Sequence, residues 1–321
     1  MKLHEDKDVF STYVSSVSQS MGLPEVYIEK DYWVTYALKN LSTSKVSKDI
    51  VFKGGTSLSK AHKLIHRFSE DIDLAVMANG IGDAQRKRLL KQAEKSTSAG
   101  LEALPDDKRN SKGSKFRKTV YRYPKNNEEG NFGQASPELL LEVNAFTRPE
   151  PYERKIIQTM IAESLISEGR QDLVDQHGLG PFDLNVLSVH RTLVEKLLGI
   201  IKDSYFENPV ARLNIRIRHI YDVCMILKEK TNRDFVQSEA FSELCQRCIA
   251  DEIESWSEEQ TACLKEPLQA GPLFNKFDEW WPELESTYTT TFADLVYGKL
   301  PNVDEIKDTL DFLHQALIKM K

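Results

Sequence analysis

Apolar residues return every three or four positions across residues 5 to 42. The run "MGLPEVYIEKDYWVTYALKNL" keeps that spacing beyond a break at Pro24, so helix is predicted on both sides of the proline. The spacing then changes. "DIVFKG" is a short apolar strand that ends at Gly54-Gly55, and "DIDLAVM" alternates as a second strand. Between them, "TSLSKAHKLIH" sets Leu58, Ala61, Leu64 and Ile65 on one helical face, with Thr56 or Ser57 beginning that helix. A longer helix is predicted over "GDAQRKRLLKQAEKSTSAGLEAL". The strands "SKFRKTVYRYP" and "PELLLEVNAF" follow, joined by the polar loop "KNNEEGNFGQAS".

After Pro151 the pattern becomes helical, as in "RTLVEKLLGIIKDSYF" and "NIRIRHIYDVCMILKEK". The expected fold class is therefore α+β: a mixed sheet core near residues 50 to 150, flanked by N-terminal helices and a C-terminal helical region. Two domains are expected, 1–150 and 151–321, and the 321-residue length suits that division.

Asp71 and Asp73 stand two apart on a predicted strand, so their carboxylates share a face. Neighbouring carboxylates repel unless a cation lies between them. Mg²⁺, which takes one or two carboxylates together with substrate phosphates, removes the conflict. Glu142 is an acid in the otherwise apolar strand "LLLEVNA", where an unpaired charge is costly. If that strand lies beside the first, three carboxylates can hold two metal ions. The turn at Gly54 and Gly55 lets a phosphate approach backbone N–H groups. Thr56 and Ser57 add hydroxyls there, and Lys60 a charge one turn on. This order of features describes a site for a nucleoside triphosphate with metals, distinct from the P-loop pattern.

"FKGGTSLSK", "RFSEDIDL" and "LLLEVNAF" together resemble the DNA polymerase β-type nucleotidyltransferase superfamily, and more narrowly the AbiEii/AbiGii toxin family. "IEKDYWVTYAL", "HRTLVEKLLGI" and "RIRHIYDV" support the narrower match, which covers about residues 25 to 230. The resemblance implies metal ligation by Asp71 and Asp73, a serine beside them at Ser69, and Glu142 as the third acid. It also implies a lysine near the nucleotide phosphates at Lys196, a last-motif aspartate at Asp222, and Arg218 one helical turn before it. Each has a plainer alternative. Lys196 can be an ordinary helix lysine, Arg218 and Asp222 an i, i+4 brace, and Ser69 a strand cap. His190 and His219 read as structural, and the proposed reaction needs neither His62 nor His66.

The net charge of −6 excludes a protein that is basic throughout, yet residues 108–125 carry eight Lys or Arg and no acid. Lys115, Arg117, Lys118 and Arg122 in that strip either track a polyanion or protect a hairpin edge. Four cysteines make no disulfide framework in a chain of this length. Cys245 and Cys248 lack a second ligand pair for zinc and read as the buried face of a helix. No apolar run is long enough to span a bilayer and the start shows no signal peptide, so a cytoplasmic protein is expected.

The expected activity is Mg²⁺-dependent (or Mn²⁺-dependent) transfer of a nucleotide from an NTP to RNA, the tRNA 3′ end first, with a cognate antitoxin as partner. Two alternatives stay open: nucleotidylation of a protein or of a small molecule such as an aminoglycoside, and a non-catalytic nucleotide-binding regulator.

Overall fold

The computed structural model describes residues 1–126 and 135–320. The chain divides into two units. The first comprises residues 1–63 and 68–187; the second comprises residues 64–67 and 188–321. The chain thus leaves the first unit for four residues and returns.

The first unit is built on one mixed sheet. Its strands are β1 (Ile50–Lys53), β2 (Ile72–Val76), β3 (Glu102–Ala103), β4 (Ser111–Lys112), β5 (Phe116–Arg122), β6 (Leu139–Asn144), β7 (Tyr152–Ile157) and β8 (Phe182–Leu187). They lie in the order β3-β5-β6-β2-β1-β8-β7, with β4 also on β5. β2 runs antiparallel to β1 and parallel to β6, and β8 runs parallel to β1. The helices of this unit are α1 (Lys7–Met21), α2 (Glu25–Ser42), α3 (Gly54–Lys60), α4 (Asp83–Thr97), α5 (Met160–Ser167) and α6 (Gln171–Gln176).

Alternate residues of the central strands face the core: Ile50 and Phe52, Ile72 and Leu74, Leu141 and Val143, Leu184 and Val186. They pack against Trp33, Leu38 and Leu41 of α2 and Leu90 and Ala93 of α4. The two-residue repeat of a strand sends the intervening side chains to the other sheet face.

Three expectations are corrected. The helix after the glycines starts at Gly54 and stops at Lys60, short of the "AHKLIH" segment, and Lys63 adopts a left-handed φ of 56°. The helix α4 ends at Thr97, and the stretch expected to prolong it turns at Gly100 (φ 81°) and enters β3. The sheet continues past residue 150 through β7 and β8, in a region read as helical. The middle of the loop "KNNEEGNFGQAS", residues 127–134, lies outside the described residues. The α+β class itself is as expected.

Among the described residues from 188 onward the second unit is helical: α7 (Val189–Asp203), α8 (Pro209–Ile215), α9 (Ile217–Ile226), α10 (Lys230–Val236), α11 (Glu239–Ser255), α12 (Glu258–Thr261), α13 (Pro272–Thr289) and α14 (Val303–Ile318). Ser188 caps α7 by accepting the Arg191 N–H at 3.1 Å. The helix α7 packs on α9 and α11, and α9 on α14. No helix among the described residues is long and apolar enough to cross a membrane.

Candidate active site

The sheet register sets four charges in one row of the first unit. Lys53 of β1 is opposite Asp73 of β2, Asp73 is opposite Glu142 of β6, and Glu142 is opposite Lys118 of β5. Asp71 lies one residue before β2. Burial alternates from Asp71 to Leu74, with Ile72 and Leu74 covered, so Asp71 shares the face of Asp73. The Lys118 ammonium stands 3.8 Å from Glu142 Oε2, and the Asn144 amide lies 3.5 Å from Oε1. As the side chains stand, no group of three or more His, Cys, Asp or Glu among the described residues is gathered tightly enough to hold an ion. Asp71, Asp73 and Glu142 offer the oxygen donors that a divalent cation takes.

The first glycine of the turn is fixed by Asp73. Gly54 has φ 79°, and a Cβ built on it would meet Asp73 Cγ at 3.0 Å and Asp73 Cβ at 3.1 Å, with the carboxylate oxygen Oδ2 closer still. Only a residue without a side chain allows both that backbone angle and that approach. The hydroxyls beside it brace the turn. Thr56 donates to the Asp71 carbonyl at 2.6 Å and lies 3.1 Å from the Ser69 hydroxyl, and Ser57 donates to the Gly54 carbonyl at 2.9 Å. The ammonium of Lys60 is buried and engaged by Asp31. Gly54→Ala is therefore expected to slow transfer at least tenfold by displacing the Asp73 carboxylate, while the protein stays folded. Steady-state rates and an unfolding midpoint measured together check this.

Lys196 and Asp222 come together within the second unit, where the Lys196 ammonium lies 2.8 Å from Asp222 Oδ2. A third residue joins them that the sequence reading missed. Arg67, in the four-residue excursion of the chain, grips Asp222 with two parallel bonds, Nε to Oδ1 at 2.7 Å and Nη2 to Oδ2 at 2.8 Å. Burial alone would raise the Asp222 pKa; Arg67 and Lys196 instead hold it well below the usual carboxylate range. Arg218 does not brace Asp222 in an i, i+4 pair: Asp222 is taken by Arg67 and Lys196, and Arg218 stays half-buried on α9.

A family model described as "Nucleotidyl transferase AbiEii toxin, Type IV TA system" matches residues 36–309 of the chain. The chain belongs to the AbiEii family of nucleotidyltransferase toxins. It is an enzyme of that class, and its family places it with the toxins of type IV toxin–antitoxin systems. Among solved structures, the chain is 16% identical to JHP933 from Helicobacter pylori, covering 91% of this chain and 94% of that one, with a TM-score of 0.45. It is also 16% identical to MenT4, the nucleotidyltransferase toxin Rv2826c from Mycobacterium tuberculosis H37Rv, covering 94% and 98%, again with a TM-score of 0.45. At that TM-score neither likeness adds to the family assignment. A comparison with curated proteins finds no match.

In this AbiEii chain the basic strip is largely balanced by acids. Arg117 is engaged by Glu94 of α4, Lys112 lies 3.7 Å from the same carboxylate, Arg122 lies 3.4 Å from Glu102, and Arg109 pairs with Asp107 and Glu138. Lys115 makes no ion pair with a described residue. Cys245 and Cys248 are buried on α11, and burial pushes the Cys245 thiol up to about 12, the behaviour of small apolar side chains.

Proposed function

We propose that the protein transfers a nucleotidyl group from an NTP to a hydroxyl of an RNA acceptor, the tRNA 3′ end first, at the row of acids in the sheet. The observation that carries this reading is the register: Asp73 and Glu142 are directly opposed on adjacent strands, with Asp71 on the same face. Asp71 and Asp73 would hold two divalent ions and Glu142 the one on the acceptor side. When bound, Mg²⁺ or Mn²⁺ supplies neutralising charge to the triphosphate and makes the acceptor hydroxyl more acidic. The acceptor oxygen forms a bond to the α-phosphorus, the bond from that phosphorus to the bridging oxygen breaks, and pyrophosphate leaves. The hydroxyl proton passes to solvent.

The protein's own part is positioning and charge. The backbone at Gly54 and Gly55 would approach the phosphates, beside Thr56, Ser57 and Ser69. In the second unit, Lys196 and Arg67 both hold the Asp222 carboxylate. Lys196 and Arg218 are the cations that the family resemblance assigns to the triphosphate. A cognate antitoxin is the partner that the family implies.

The test incubates the purified protein with each labelled NTP, total RNA and Mg²⁺. Label on RNA of tRNA size, abolished by EDTA, is the expected result. Label on protein or on a small molecule would replace the RNA reading, and no label would point to a nucleotide-binding regulator. The basic strip has its own prediction. Arg117 and Lys118 already face acids, so Lys115→Glu is the cleaner probe. It is expected to weaken RNA binding and flatten its salt dependence by about one counterion, with NTP affinity unchanged. Filter binding across a salt series, with calorimetry for the NTP, reads both.

A further inference from the structure

The stretch "YIEKDYW" in α2 carries three ionisable residues in a row, Glu29, Lys30 and Asp31, and all three are buried. Burying a lysine costs several kcal/mol unless its partners are well placed, and an apolar residue would pack at such a position without that cost. What Lys30 holds is the segment next to the acids. Its ammonium is 2.6 Å from Glu70 Oε2, and it donates to the carbonyls of Ser136 and Glu138. Glu70 in turn accepts the Ser136 N–H at 2.8 Å with its other oxygen. Glu70 immediately precedes Asp71.

The neighbouring side chains act on the same segment. Asp31 takes the Lys60 ammonium with one oxygen and the Met160 N–H, at 2.8 Å, with the other. Lys60 ends the helix that begins at Gly54. Tyr27 stacks on Phe68, ring centroids 4.0 Å apart and planes within 5°. Tyr27, Lys30 and Asp31 are spaced by three and four residues, so one face of α2 makes all three contacts. That face grips the chain where the glycine helix ends and again just before the aspartates.

We infer that Lys30 and Asp31 are positioning residues for nucleotidyl transfer: through Glu70 and Lys60 they fix Asp71 and the glycine turn at the spacing that the reaction requires. This rests on the reading of Asp71 and Asp73 as the reacting site's acids. Ligand carboxylates must stand within about 0.5 Å of their productive place. Loss of the groups that orient them typically costs 10–100-fold in affinity or activity.

Two paired substitutions separate positioning from mere stability. Lys30→Met with Glu70→Gln, and Asp31→Asn with Lys60→Met, each remove a buried charge pair without leaving a lone charge, so folding is largely kept. The expected result for both is an unfolding midpoint close to wild type and a kcat lowered 10–100-fold. KM for the NTP should stay within about threefold. Affinity for Mn²⁺ alone, measured by calorimetry, should fall about tenfold for the Glu70 pair. If kcat stays at the wild-type value in either folded variant, that pair does not position the acids and the inference is overturned. Should one variant fail to fold, the other decides. Asp71→Ala is run alongside: if it keeps full activity, the underlying site reading falls and takes this inference with it. If it is inactive while the paired variants are fully active, the inference alone falls.

Discussion

Asp73→Ala and Asp71→Ala are each expected to lower the rate of nucleotide transfer by on the order of a hundredfold or more, with the fold intact. Both side chains lie on the sheet face turned away from the core residues Ile72 and Leu74, so no core cavity opens. Asp73→Ala removes one of the two carboxylates opposed in the row, and Asp71→Ala removes the one beside it on the same face, so repulsion among the acids falls. Stability is therefore expected to hold. The Asp71 variant keeps its backbone carbonyl, which still accepts the Thr56 hydroxyl, so the glycine turn remains tied to the strand. Label transfer under single-turnover conditions, with urea unfolding of the same preparations, provides the check. Full activity in either variant would remove the metal assignment.

The largest effect on stability is expected at Asp222. Its carboxylate is fully buried, holding the Arg67 guanidinium by two bonds and the Lys196 ammonium by a third. Asp222→Asn takes the shared carboxylate from two buried cations, and breaking a buried pair in this way costs about 3–5 kcal/mol. The pH dependence has a definite sign. The folded-state pKa lies below the ordinary 3.8 of an unfolded aspartate. The stabilisation is thus complete at neutral pH and drains away as pH falls below 3.8 and on through the folded value. Urea unfolding of wild type and Asp222→Asn at pH 7, and again toward pH 3, should show the gap narrowing only in the acid range. A gap under 1 kcal/mol at pH 7 would mean that the three groups do not depend on one another.

Where several of the candidate site residues lie could be read from residues close together in sequence. The D-x-D alternation places Asp71 and Asp73 on one face from sequence alone, and Glu142 shows itself as an acid in an apolar strand. What escaped depends on pairing over long distances. Arg67 and Asp222 are 155 residues apart, and the sequence offered the nearer Arg218 as a helical partner instead. β7 escaped because "YERKII" is a mostly exposed edge strand with no alternating burial, so its hydrophobic pattern carries no signal. The helix α3 opens two residues early because Gly54 supplies an angle that the Thr56 cap reading assigned to the preceding turn. The acids in the basic strip's neighbourhood, Glu94 and Glu102, come from a separate helix and strand, so charge counting along residues 108–125 overstated its free positive charge.

The four-residue excursion of the chain constrains how this protein can be cut or recombined. A fragment beginning at Ser188 would carry Lys196 and Asp222 but lack Arg67, along with the backbone pairing of Arg67 to Val296 and the 2.9 Å bond from the Tyr297 N–H to the His66 carbonyl. The helical unit is therefore not a transferable cassette. A gene fusion or crossover at the boundary after Leu187 would inherit an aspartate from one parent and its arginine from the other. Swaps between diverged relatives should survive only where the segment 64–67 travels with the helices it belongs to.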